Sequence, residues 1–186
     1  MKGHGALALA LAVLAGPSSA SAQRVVSAGS VRSGTLSFDG RSTLGDFTGT
    51  TTTLKGEMTG GPLTDVRGWV EAPVNTLKTS NDRRDRDLLK SMEAERFPTI
   101  RFDLDTVRSQ WERNDSAGVA LVGRFTIHGV TRPATVNALL HLSDGRVSVA
   151  GDVPLNLKDF EIGGLSKFLG ILKMNPDIIV HLYLMF

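Results

Sequence analysis

Between Gly118 and Leu142 the chain alternates with a period of two. Val119, Leu121, Gly123, Phe125 and Ile127 fall on one side, and Ala120, Val122, Arg124, Thr126 and His128 on the other. A strand with one buried face reads this way. A break follows at Gly129–Pro133, where glycine tolerates positive φ and proline fixes φ. The alternation then resumes through Val136, Ala138, Leu140 and Leu142. Two long antiparallel strands therefore present one apolar face that the rest of the chain must cover.

Further alternating runs supply the cover. Thr35–Arg41 places Leu36 and Phe38 on one face, and the Thr-rich run Phe47–Met58 suits a strand. Phe47 and Leu54 can share a face there only through a bulge, for which Gly49 and Gly56 are the candidates. Val66–Val74 alternates cleanly until Pro73, which marks a sheet margin. Ile100, Phe102 and Leu104 define another strand; Gln110–Ala117 reads as a polar loop with Trp111 on the surface or over a barrel mouth. Asp144-Gly145 is a strong hairpin signal leading into the run Val147 to Leu157, and Ile178–Phe186 is a final strand. Gln23–Ser30 is short, polar and weakly patterned, and is expected to be a mobile start.

One stretch has a different character. Residues 79–96 are densely charged, with Leu88, Leu89 and Met92 as their apolar set. Ser80, Asn81 and Asp82 are N-cap candidates, Asp82 and Arg86 are spaced i,i+4, and Phe97-Pro98 stops the run. This predicts a helix over about 82–94, and a short helical segment is expected near 166–172. The fold class is thus all-β: about eight antiparallel strands closing an up-and-down barrel, with one helix inserted after the third strand.

Composition narrows the functional classes. Lys2, the apolar run Ala6–Ala15 and Ala20-Ser21-Ala22 make residues 1–22 a secretory signal peptide, leaving 23–186 as one barrel domain. The apolar run is far shorter than the ~20 residues a membrane span needs, so no integral membrane anchor is expected. Without Lys2, the 21 Lys and Arg come down to one more than the 19 Asp and Glu, a balance that speaks against a nucleic-acid surface. The absence of cysteine excludes disulfides, thiolate metal sites and a cysteine nucleophile.

Catalytic signals are weak. Gly164-Leu165-Ser166-Lys167-Phe168 begins like a nucleophile elbow but lacks the closing glycine. His128, His141 and His181 have no metalloprotease spacing, and no glycine-rich phosphate loop occurs. The expectation is a protein that is not an enzyme, with no metal and no cofactor. Binding has a better basis. Gly68, Ala72, Gly123, Ala138 and Gly151 fall on faces read as inward and leave room there. The candidate ligand-binding residues taken from alternation are Phe38, Val70, Phe102, Leu121 and Phe125, with Ala138, Leu140, Val153, Leu155 and Phe168. The competing reading is that Phe168, Leu169 and Leu172 fold inward and plug the barrel.

Five segments together resemble the YceI-like family: TLGDFTG at Thr43–Gly49, TSNDRRDRDL at Thr79–Leu88, FPTIRF at Phe97–Phe102, GRFTIHGVTR at Gly123–Arg132, and the C-terminal apolar strand. They arrive in the family order and span nearly the whole mature chain. The resemblance implies a lipocalin-like barrel exported to the periplasm, whose cavity holds a polyisoprenoid or similar long-chain lipid, bound non-covalently, for storage or transport. A phosphate head would then meet Arg83, Arg84 or Arg86 on the helix. The alternative is a stress or interaction protein with a filled barrel and a partner-binding surface helix. A homodimer stays open.

Overall fold

The computed structural model describes residues 24–163, 166–167 and 172–186. Its main strands are β1 (Ser33–Gly40), β2 (Phe47–Thr51), β3 (Lys55–Met58), β4 (Gly68–Pro73), β5 (Thr99–Glu112), β6 (Ser116–Ile127), β7 (Val130–Ser143), β8 (Arg146–Asn156) and β9 (Asp177–Met185). Among the described residues one α-helix, α1 (Asp82–Ser91), interrupts them between β4 and β5. From β3 to β9 each strand pairs antiparallel with the next in space, and β9 pairs with β1.

The ends of this curled sheet meet through two interrupted runs. Gly29–Ser30 and β1 form one run, and β2 and β3 form the other. Gly29–Ser30 pairs with β3, while β1 pairs with β2. Across the first interruption Val31 N–H donates to Gly56 O and Arg32 N–H to Met185 O, so both ladders continue. Counted as runs, eight strands surround the interior, in agreement with the sequence pattern.

The second interruption explains how Phe47 and Leu54 share the inner face. It falls at Thr52–Leu54, not at Gly49 or Gly56. Thr53 N–H donates to Thr51 Oγ1 at 3.1 Å, and the Thr51 and Thr76 hydroxyls lie 2.7 Å apart. Thr76 spends its proton on Pro73 O, so Thr51 is the donor of that pair. A hydroxyl relay thus takes up the backbone groups that the broken ladder frees. The outer edge of β2 is covered by reciprocal backbone bonds between Thr50 and Lys78.

Several elements differ from expectation. The turn between β6 and β7 is His128-Gly129 alone, with φ of 53° and 74°, the positive pair a two-residue hairpin requires. β7 runs straight through Pro133, opposite Arg124. β8 joins β7 only from Asn137 onward, so the proline occupies a stretch with a free edge. β5 extends to Glu112 with irregularities at Leu104/Thr106 and Ser109/Trp111. Trp111 therefore lies in a strand, half-exposed above Gly118, and the polar loop shrinks to the residues after Glu112. The N-terminal run is anchored, with Val25–Val26 pairing to Gly61–Pro62 and Val26 buried.

The helix starts as predicted: Asn81 is the cap, its side chain accepting from Arg84 N–H at 3.0 Å. It ends three residues early. Glu93 takes φ 43° and its N–H bonds Lys90 O, while Ala94 N–H reaches back to Leu89 O. This is a left-handed helix stop with Glu where glycine is usual. Most of the expected helical segment near 166–172 lies outside the described residues. Its described ends, Ser166–Lys167 and Leu172–Lys173, pair antiparallel. A 3₁₀ turn occurs earlier, at Leu157–Phe160.

Candidate functional site

The barrel interior is solid at one end and hollow at the other. In the solid end Val107, Ala117, Val119, Leu140, Val147, Val149 and Leu184 are buried against one another. Toward the other end, inward residues such as Leu36, Phe38, Leu155 and Val180 keep accessible surface, because they face a cavity. That cavity has a volume of about 240 Å³ and lies beneath α1. Leu88 and Met92, four apart and hence on one helix face, contribute to its roof. Its walls include Phe38, Ile127, Leu155 and Ile178. A second space of about 40 Å³ lies deeper, among Val70, Phe102, Leu121, Val136 and Val153. Leu36, Ile100, Phe125 and Val180 border both.

The lining has few polar residues: Ser37 on β1 and, at the mouth, Ser42, Thr43, Arg84, Asp87 and Ser91. Leu44 stands beside them, three-quarters exposed at 76%. The Arg84 guanidinium lies 4.3 Å from the Phe47 ring centre, and that ring meets Phe38 edge-on with centroids 6.0 Å apart. Gly40 and Gly49 are paired directly with Phe47 and Phe38, and each ring occupies the space a Cβ there would take. A short stack from helix to strand pair results.

Asp85 sets the helix in place over the cavity. Its Oδ1 accepts from both the Thr79 hydroxyl, at 2.7 Å, and the Thr79 N–H, at 2.8 Å, and Oδ2 is 3.7 Å from Lys78 Nζ. The Thr79 hydroxyl bond is the main reason the carboxyl is held below the ordinary carboxylate range.

The predicted site residues divide by depth. Phe38 and Leu155 line the larger cavity; Val70, Phe102, Leu121 and Val153 line the smaller; Phe125 lines both. Ala138 and Leu140 border neither and belong to the packed core beyond. Phe168, and with it the proposed plug of Phe168 and Leu169, lies outside the described residues, and Leu172 is described only in its backbone pairing.

Of the small residues, Ala72 borders the smaller space, but Gly123 and Gly151 are not what leaves room. A Cβ on Gly123 would run into Asp103 O and come within 2.8 Å of the Phe102 ring; one on Gly151 would lie 3.1 Å from Ala138 and Val136. These glycines admit neighbouring groups rather than ligand. Leu36, Ile100, Ile178 and Val180 were missed as lining residues although they share the inward parity of Phe38 and Phe102.

The histidines are dispersed. His128 is buried in its hairpin, with Nδ1 3.1 Å from Phe160 O and Nε2 3.3 Å from Glu93 Oε1. His141 lies 3.7 Å from Asp115, and His181 sits on the outer surface between Asp152 and Asp39. Among the described residues no His, Asp and Glu cluster is arranged to hold a metal ion. No helix among them is long and apolar enough to cross a membrane.

A curled antiparallel sheet around an apolar cavity capped by one helix defines a lipocalin-like barrel. The chain belongs to the YceI-like family: the sequence profile of the YceI-like domain matches residues 22–186. No curated protein sequence matches it significantly. Solved structures share the fold at low identity. BcnA of Burkholderia cenocepacia superposes with a TM-score of 0.69 at 13% identity, covering 82% of this chain and 96% of its own. A polyisoprenoid binding domain from Saccharophagus degradans, implicated in plant cell wall breakdown, gives 0.71 at 14% identity, covering 86% and 97%. The YceI protein of Campylobacter jejuni gives 0.53 at 17% identity, covering 64% and 71%.

Proposed function

We propose that the protein binds, without catalysis, a long-chain amphiphilic lipid of polyisoprenoid type in the cavity beneath α1, and does so in the periplasm after export. The observation that carries this is the cavity itself: about 240 Å³ walled mainly by aliphatic and aromatic side chains, with few polar residues in its lining. Burial of an apolar tail contributes ~0.8 kcal/mol per CH₂, from which the ordering of a flexible chain subtracts. Support also comes from the family and from the Saccharophagus degradans domain described as polyisoprenoid binding. Export is supported by the family profile beginning at residue 22, where the signal-like segment ends.

Of the three arginines considered for a lipid head group, Arg84 borders the cavity, while Arg83 and Arg86 are exposed on the helix. Arg84 is therefore the residue assigned to a phosphate or similar anionic head, within reach of Ser42 and Thr43 at the same mouth. No cofactor is required for such binding.

Native mass spectrometry of protein purified from its own periplasm, followed by lipid extraction, tests the proposal. The expected result is a co-purified prenyl lipid lost on organic extraction. Recovery of only ligand-free protein, together with no affinity for added prenols, would favour the interaction-protein alternative.

A further inference from the structure

We infer that the belt of Leu36, Ile100, Phe125 and Val180 is a chain-length stop, so that this barrel gains affinity from a prenyl chain only up to a set length and leaves any longer chain partly outside; the inference rests on the lipid reading above. The first ground is capacity. With about 30 Å³ as a water's share of condensed volume, a cavity of about 240 Å³ encloses far fewer heavy atoms than an octaprenyl chain carries. The second is the belt's position. Its four residues border both the larger cavity and the 40 Å³ space beneath, which on the same scale takes about one atom.

The third ground is that the belt is propped from below. The Phe125 ring meets the Phe102 ring with centroids 4.7 Å apart. Phe102 in turn is seated against Gly123, where even a Cβ would come within 2.8 Å of it. Deeper still, beyond the smaller space that both rings border, Ala117 and Val119 are wholly buried. Interiors packed in this way resist continuous deformation. A chain entering past α1 gains burial for each carbon until it meets Phe125, and none after.

Competition binding against a fluorescent fatty acid, using geraniol, farnesol, geranylgeraniol and octaprenol on the full mature protein, reads the stop directly. Affinity is expected to rise by up to about fourfold per added methylene-sized group through the shorter prenols and to level off before octaprenol. Phe125→Ala joins the two spaces and moves the break to a longer prenol. Leu155→Phe fills part of the larger cavity, where a bigger side chain meets free space, and moves the break to a shorter one. The second variant decides alone if the first does not fold. Affinity that climbs undiminished through octaprenol, or a break that neither folded variant moves, overturns the stop while leaving lipid binding intact. Failure of every prenol to bind the unaltered protein defeats the lipid reading itself, and the stop falls with it.

Discussion

The guanidinium of Arg84 lies 4.3 Å from the centre of the Phe47 ring, joining α1 to the strand pair that forms one side of the cavity mouth. Such a cation over an aromatic ring contributes about 0.5–2 kcal/mol, more as it is desolvated. Arg84 also reaches toward Thr79 O at 3.5 Å, so the charge is fixed close to where a ligand head would emerge. Arg84→Ala is expected to weaken binding of farnesyl phosphate by about tenfold, the value of a charge-assisted hydrogen bond, and to leave farnesol binding nearly unchanged. Isothermal titration with the two ligands separates these effects. An equal loss for both would assign Arg84 to packing alone.

Asp85 anchors the start of the same helix to the chain before it. Asp85→Ala leaves the Thr79 N–H and hydroxyl without their acceptor in a buried setting. The expected cost is about 1–3 kcal/mol, measured as a lowered urea midpoint. The native carboxyl titrates below its unfolded value, chiefly through Thr79. Its contribution is thus complete above the ordinary carboxylate range and is lost as pH falls through the native value. The urea midpoints of wild type and Asp85→Ala should therefore converge in strong acid.

His181 provides a titration of the opposite sign. Hydrogen bonds to Asp152, at 2.6 Å, and then to Asp39, at 3.1 Å, raise its pKa. Asp39 is held below its usual range by Thr48 first and His181 second. The histidine's stabilising contribution is complete below the ordinary imidazole value of about 6.5 and is lost as pH rises through the native value. That of Asp39 is present above the ordinary carboxylate range and is lost in acid. Asp152→Asn should shift the His181 NMR titration midpoint downward, toward the ordinary value. An unmoved midpoint would show that the Asp152 contact does not hold the proton.

Gly123 tests the packing beneath the cavity. Gly123→Ala forces a Cβ against the Asp103 carbonyl and the Phe102 ring. Overpacking of this kind costs about 1–3 kcal/mol, so the denaturant midpoint should fall. An unchanged midpoint would mean that the Phe102–Phe125 pair can shift.

Strands such as β7 were legible because they have one wet and one dry face, and period-two alternation records that difference directly, while β6 is buried on both faces from Ala117 to Leu121. The helix start was legible too, since Asn81 caps it with a side chain made for the task. Its end was not, because the left-handed stop falls on Glu93, a residue with no propensity signal for it. Pro133 was misread as part of a turn; only the sheet order shows that β7 has a free edge there. The same limit applies to the cavity. Alternation tells which side chains point inward, but depth along the barrel decides whether they meet one another, as Leu140 does, or open space, as Leu155 does. The inward glycines misled for that reason: Gly123 receives a ring from the adjacent strand.

The division of the interior has a bearing on the protein when it is empty. The densely filled end, around Val107, Val119 and Leu184, holds the sheet's curvature without help from any guest. On the lipid reading proposed above, a barrel of this construction does not depend on its guest for shape, and exchange takes place at one rim of a vessel whose base stays set.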